Sequence, residues 1–299
     1  MNTYATLTYV YAVTRPTPRL AEALASLEGI GRAPVRLLLP GPPVDVAAHP
    51  DACGADHAFS GAGPAPLAFA ASEVPESDFN EQALKNHFED LEWLEYVART
   101  HHDVVQAIAA HATVLPLRMA TVYQDEGRAR QALTAQRRTF TRRLDELGAH
   151  TEYGVKIYLT SPSTTEGTRA DDGAAATHAA PASPGKAYLH ARRAQHHARE
   201  AVYQQARQAA AAIEAIADRH ATRRVRHAPQ SGALTGPQEN VLNDAYLVPD
   251  DQAEPFRSAI AGAAGDFPDL RIEVTGPWAP YSFAMPAPDG PPDPQEPPS

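Results

Sequence analysis

Apolar and polar residues alternate from the first strand-like stretch onward. Across 3–13, Ala5, Leu7, Tyr9, Tyr11 and Val13 share one side of a two-residue period and Thr6 and Thr8 the other, which predicts a strand. Leu20, Ala23, Leu24 and Leu27 then recur at helical spacing over 18–28, and Gly29 and Gly31 end that helix. VRLLL at 35–39 and PLAFAASEV at 66–74 predict two more strands, with a loop rich in Pro and Gly between them. A long helical stripe follows through Leu84, Phe88, Leu91, Leu94, Ala98, His101, Val105 and Ile108, with Asp78 or Asn80 as its cap. TVLPL at 113–117 is short, apolar and partly β-branched, and predicts the fourth strand. The order is β-α-β-β-α-β, the ferredoxin-like arrangement.

An amphipathic helix over 126–147, closed by Gly148, precedes a second pass through the same order. Tyr153, Val155, Ile157 and Leu159 alternate with Gly154, Lys156 and Tyr158 as a strand. A helix over about 186–219 carries the stripe Leu189, His196, Tyr203, Ala206, Ala210, Ile213 and Ala217. Strands are predicted at 222–228 and 241–248, a helix at 250–264, and a last strand where Leu270, Ile272 and Val274 alternate with Arg271, Glu273 and Thr275. The expected fold class is therefore α+β. Two ferredoxin-like domains, at 1–125 and 151–285, are joined by a connecting helix at 126–150. Residues 161–185 lack periodicity and have few apolar side chains beyond Ala. They are expected to be a disordered insertion, and the Pro-rich acidic stretch 286–299 a disordered tail.

Composition narrows the function. The 299 residues are 43% hydrophobic and 21% charged, with a net charge of -10 and a pI near 5.7. That balance supports packed cores and argues against a protein built mainly to neutralise nucleic-acid phosphates. Cys53 is the only cysteine, so no intramolecular disulfide forms, and the chain suits a reducing cytoplasm. Its start, MNTYATLTYVYAV, lacks the basic and long apolar regions of a signal peptide, and no run reaches the length of a membrane span.

Catalytic patterns are missing: there is no GxGxxG after a strand, and no GxxxxGK[ST], GxSxG, HExxH or CxxC. The adjacent pairs His101-His102 and His196-His197 point about 100° apart on a helix, which disfavours a shared metal. His101 and His196 lie on apolar stripes and read as core or boundary histidines. Glu89, Asp90, Glu92 and Glu95 read as a solvated helix face, as do Arg128, Arg130, Arg137, Arg138, Arg142 and Arg143 on the helix over 126–147. The segment TGPWAPYSF at 275–283 differs from everything around it. Pro277 and Pro280 restrict its backbone, and Trp278, Tyr281 and Phe283 suit either a segment that folds back to seal the second domain or an aromatic anchor for a partner.

Four stretches carry a resemblance to the gas vesicle protein F/L family: YVYAV at 9–13, VLPLRMATVY at 114–123 after a helix containing EWLEYVARTHHDVV, AYLV at 245–248, and TGPWAPYSF. The chain departs from that family's usual pattern at Ala12, where Gly is common, at Met119-Ala120 in place of Phe-Gly, and at Ala279 in place of Pro. Ala120 suggests a backbone with no need for positive φ. The resemblance implies two α+β domains and no catalytic residues, cofactor or metal. It implies an accessory role in gas vesicle assembly, in the cytoplasm and associated with the vesicle. The partners would be the small hydrophobic shell protein and other accessory proteins, with no nucleic acid and no membrane. Trp278, Tyr281, Phe283, Arg118 and Tyr123 are the expected partner-binding residues. The alternative is a small-molecule enzyme or sensor that closes tandem ferredoxin-like domains around a pocket lined by His101, Arg118 or Tyr123. A nucleic-acid binder using the arginines at 128–143 and 219–226 is the third reading.

Overall fold

The computed structural model describes residues 5–41, 66–87, 89–160, 184–230 and 238–284. Cys53, most of the expected insertion at 161–185 and the tail at 286–299 lie outside them. The chain divides into two compact units: Met1–Thr151 with Trp278–Ser299, and Glu152–Pro277. The fold is α+β, and the strand pairs β1–β3, β1–β4, β1–β5, β2–β3 and β7–β8, whose ranges follow, are antiparallel.

The first unit contains β1 (Thr6–Thr14), α1 (Pro18–Leu24), β2 (Arg36–Leu38), β3 (Ala68–Pro75), α2 (Glu76–Phe79), α3 (Glu81–His87), α4 (Leu91–Ala109), β4 (Val114–Pro116), β5 (Val122–Tyr123), α5 (Glu126–Ala135) and α6 (Arg137–Leu147). Its sheet runs β2-β3-β1-β4, with β5 also paired to β1. The predicted stripe over 84–108 is two helices. Asn80 Oδ1 accepts the Ala83 N–H at the start of α3, and Asp90 Oδ1 accepts the N–H groups of Glu92 and Trp93 at the start of α4.

The phase of β1 differs from simple alternation. Val10 pairs with Ala71 and Ala12 with Ala70, so Tyr11 is an extra residue at a bulge. Tyr9, Tyr11 and Ala12 therefore join one core with Leu20, Ile30, Phe79, Val97, Val104, Val105 and Ile108. Val13 does not belong to that core. The other sheet face is also covered. Ala129, Leu133, Phe140, Leu144 and Leu147 of α5 and α6 are buried, and Phe69 of β3 meets Phe140 edge-on, with ring centroids 5.9 Å apart. The stretch expected as a connecting helix thus forms a second helical layer. It is kinked at Gln136 (φ -96°, ψ 10°), with the Ala132 carbonyl accepting from Gln136 N–H and the Gln136 carbonyl from Phe140 N–H.

The second unit holds most of β6 (His150–Leu159), then α7 (Pro184–His220), β7 (Arg223–Arg226), β8 (Glu239–Pro249), α8 (Ala253–Ala264) and most of β9 (Leu270–Trp278). Its sheet order is β7-β8-β6-β9. The core is Tyr153, Val155, Ile157, Ala209, Ile213, Tyr246, Val248, Phe256 and Ile260. The α7 stripe reaches this core only from about Val202 onward. Leu189 and His196 are exposed, and the His196 and His197 rings stand beside Glu200 on the helix surface. His196 is therefore a surface residue, not a core histidine. Among the described residues, no helix is long and apolar enough to cross a membrane, and no group of three or more His, Cys, Asp or Glu side chains could hold a metal ion.

Candidate functional site

The chain leaves β9 through TGPWAPYSF, and from Trp278 on it belongs with the first unit. Of its two expected roles, a seal for the second domain or an aromatic anchor for a partner, the first is corrected: the segment packs into the first core. Ala279 is buried there, and its N–H donates to Gln106 Oε1 of α4 at 2.6 Å. One helical turn, α9 (Tyr281–Ala284), follows, and it buries Phe283 completely. Tyr281 is half-buried against the core, and Trp278 stays 38% exposed.

Opposite this segment, β1 pairs first with β4 and then with β5, and residues 117–121 bow outward between them. The Tyr11 carbonyl accepts the Leu117 N–H at 2.9 Å, and the Thr121 carbonyl accepts the Val10 N–H at 2.9 Å, so both ends of the bow are tied to the β1 bulge. The Thr121 N–H and hydroxyl both donate to the Arg118 carbonyl. Ala120 has φ 62°, so the turn does use the left-handed region, contrary to the reading from its side chain. The geometry carries Arg118 and Met119 to the surface.

Between bow, closing segment and α4 lies a groove of about 400 Å³, lined by Ala98, His101, His102, Pro116, Leu117, Arg118, Met119, Tyr281 and Ala284. Ala98 and His102 come from the outward flank of α4. That flank continues at helical spacing to Leu94 and to Leu91, which is 79% exposed. The His102 ring lies between the Tyr281 ring, stacked at 5.9 Å, and Trp278 at 5.5 Å.

His101 forms the floor. It is only 4% exposed, and Tyr9 Oη lies 2.9 Å from its Nδ1. Tyr9 Oη also accepts the Ala120 N–H at 3.0 Å. Burial lowers the His101 pKa to about 4. The Leu117 backbone pulls it back upward, and neighbouring His102 lowers it further. Burial also raises the pKa of Tyr9 well beyond its ordinary value, with the Ala120 N–H opposing. Both groups are therefore neutral near pH 7.

Arg118 and Tyr281 line this groove, Trp278 lies on its rim with its ring tilted against His102, and Phe283 anchors the segment from beneath. Tyr123 is elsewhere: its ring stacks on Phe69 at 6.0 Å. Patterning places Leu91, Leu94 and Ala98 on one stripe with His101, Val105 and Ile108; in α4, Leu91 and Ala98 are exposed and share with His102 a flank offset from the buried Val97, His101, Val104, Val105 and Ile108, because the buried face is rotated from the expected one. The acidic cluster of α4 is ordinary helix surface, where Asp90 is the cap and Glu95 pairs with Arg99.

The comparisons with known proteins agree with the resemblance. The family model described as gas vesicle synthesis protein GvpL/GvpF matches residues 7–285. Gas vesicle protein L of Streptomyces sp. is 37% identical over 279 residues, which is 93% of this chain and 92% of that protein. Gas vesicle protein F1 of Halobacterium salinarum is 40% identical over 43 residues, 14% of this chain and 20% of that one. The fold is similar to the crystal structure of GvpF from Anabaena sp. (TM-score 0.55, 17% identity, 94% of this chain and 97% of that chain). It is also similar to that of GvpF from Microcystis aeruginosa (TM-score 0.53, 15% identity, 93% and 99%). A family match over nearly the whole length, together with a full-length relative at this identity, means that the chain belongs to the GvpL/GvpF family of gas vesicle proteins.

Proposed function

We propose that the chain is a non-enzymatic accessory factor of gas vesicle formation. It binds the small hydrophobic shell protein, acts with other accessory proteins in the cytoplasm, and supports nucleation of the vesicle. The observation that carries this reading is the groove in the first unit. Two of the four stretches that resemble the family meet there, the 114–123 stretch with the α4 helix before it and the closing segment, and the walls are largely apolar side chains open to solvent. A shell subunit with unpaired apolar surface aggregates unless a soluble partner covers it. A groove flanked by Leu91, Met119 and Trp278 has the chemistry to do so. The enzyme or sensor reading asked for a large closed cavity lined by His101, Arg118 or Tyr123. His101 and Arg118 do line the groove, but it is open along Ala98, Arg118 and Met119, which favours the docking reading.

The same reading takes each unit as a ferredoxin-like domain. Support comes from the element order and from the sheet orders β2-β3-β1-β4 and β7-β8-β6-β9, which place the strands alike.

The test is co-expression with the shell protein, pull-down in low and high salt, and deletion of the gene in a vesicle-forming host. Capture should persist in high salt, because salt screens charge pairs and not apolar contact. Normal vesicles in the deletion strain, without a paralogue to compensate, would overturn the proposal.

A further inference from the structure

The last described residue, Ala284, stands on the wall of the groove, one helical turn after Tyr281 on the same wall. The chain continues from there as MPAPDGPPDPQEPPS, residues 285–299, which lie outside the described residues. Seven of these 15 residues are proline, three are acidic (Asp289, Asp293 and Glu296), and none is Lys or Arg. Proline fixes φ at about -65° and lacks an N–H, so a segment this rich in it loses little entropy when it docks in the extended polyproline form.

The groove suits that form. Tyr281 and His102 line it, and the Trp278 ring, 38% exposed, lies 5.5 Å from the His102 ring at the rim. Between these rings and the bow runs an apolar wall of Ala98, Pro116, Leu117 and Met119. Aromatic-lined apolar grooves are the surfaces on which proline-rich segments dock. The charges agree in sign as well: Arg118 lines the groove, no described acidic residue does, and the segment carries only acids.

Position then selects the occupant. Pro286 and Pro288 are two and four residues beyond Ala284, which is about 6 and 12 Å at ~3.1 Å per residue. They cannot stray far from the wall they leave. A segment tethered this closely meets the groove at an effective concentration in the millimolar range. A contact with an intrinsic Kd of about 1 mM therefore fills the groove about half of the time.

We propose that residues 286–292 of the same chain dock in this groove in the polyproline form, so that any partner must displace them. This rests on the docking role proposed above and adds to it a competitor carried by the chain itself.

The test compares the full chain with a variant of equal length in which 286–299 is a run of Gly and Ser. NMR signals of the Trp278 indole and the Met119 methyl report on the groove. Trp93, packed on Phe79 and His87, is the internal reference. The groove signals should differ between the two chains and the Trp93 signal should not. A synthetic peptide of residues 286–295, titrated into the Gly/Ser variant, should return the groove signals toward their full-chain positions. The same peptide with every Pro replaced by Ser should bind about tenfold more weakly or less well still. Shell-protein capture should be about twofold stronger or more in the variant, the factor by which half occupancy reduces the free groove. Identical groove signals in the two chains, no shift with the peptide, or equal binding of the Pro-free peptide would overturn the inference. So would full-chain groove signals that change with protein concentration, which would place a second copy's segment there. If the peptide restores the signals but neither chain captures shell protein, the segment's docking stands and the role proposed for the groove fails. If both chains capture shell protein equally and their groove signals coincide, that role stands and the segment's docking fails.

Discussion

The buried His101 makes the first unit sensitive to acid, and the size of the effect follows from its surroundings. In the folded chain its pKa falls from 6.5 to about 4, chiefly because burial penalises the cation. In the unfolded chain it titrates near 6.5. Between these values the unfolded form binds a proton that the folded form refuses, so stability is complete above pH 6.5 and is lost as pH falls toward 4. At about 1.4 kcal/mol per pH unit, the full loss is roughly 3 kcal/mol. The rings packed against it are Tyr9, Tyr11 and Tyr281; the Leu117 backbone favours the imidazolium and neighbouring His102 disfavours it, and burial outweighs both. The assay is urea unfolding from pH 7 to pH 4, read by tryptophan fluorescence. Both tryptophans, Trp93 and Trp278, lie in the first unit, so the signal reports on that unit. Carboxylates also titrate in this window, so His101→Phe supplies the baseline. That variant starts less stable at pH 7 because Tyr9 loses its acceptor. It should then lose about 3 kcal/mol less than the parent on acidification. Parallel pH profiles for parent and variant, or an NMR titration of His101 near 6.5, would refute the reasoning.

Three further outcomes are expected. Ala120→Gly should raise the stability of the first unit by about 0.5–1 kcal/mol in urea melts, because φ 62° strains alanine more than glycine; a loss of stability would count against the turn as described. Gly29→Ala should cost about 2–3 kcal/mol despite its permitted φ, because the new Cβ would overlap the Tyr11 hydroxyl and lie 3.1 Å from Ser72 Oγ; a neutral result would mean that those two side chains move freely. Phe283→Ala should cost about 3–5 kcal/mol and Trp278→Ala clearly less, since Phe283 is fully buried and Trp278 is 38% exposed; the opposite ranking in thermal melts would reverse their assignment as anchor and rim.

Most strands were legible because a two-residue period survives wherever a strand pairs regularly. Where it failed, a particular residue shows why. Val13 leaves the expected face because the bulge at Tyr11 shifts the phase, and a bulge leaves no mark in apolar patterning. The kink at Gln136 was hidden because Ala129, Leu133, Phe140, Leu144 and Leu147 would form one continuous stripe on a straight helix. β5 is two residues long and exists through its pairing with Thr8 and Tyr9, a long-range fact. Half of α7 carries an apolar stripe that nothing among the described residues covers, so Leu189 and His196 satisfied a periodicity without satisfying burial. The site was legible in part. Trp278, Tyr281, Phe283 and Arg118 stood out by residue type. Their convergence with His101 and His102 depends on the chain returning to the first unit, which no local pattern encodes.

That return also brings together two of the three departures from the family's usual pattern, the third, Ala12, being buried in the core on β1. Met119-Ala120 and Ala279 are separated in sequence, yet they belong to the bow and the closing segment that flank one groove. Each change has a local consequence. Met119 presents a flexible thioether on the wall where an aromatic ring is usual. Ala120 retains a left-handed turn that glycine would adopt without strain, and its N–H still reaches Tyr9 Oη. Ala279 has an N–H, which proline lacks, and donates it to Gln106. The changes alter the walls and fastenings of the groove, while the floor, with His101 held by Tyr9, depends on buried groups that the rim side chains do not supply. A fold built this way lets the side chains of the groove walls differ while the Tyr9 hydroxyl and the Ala120 N–H keep the His101 ring in place beneath.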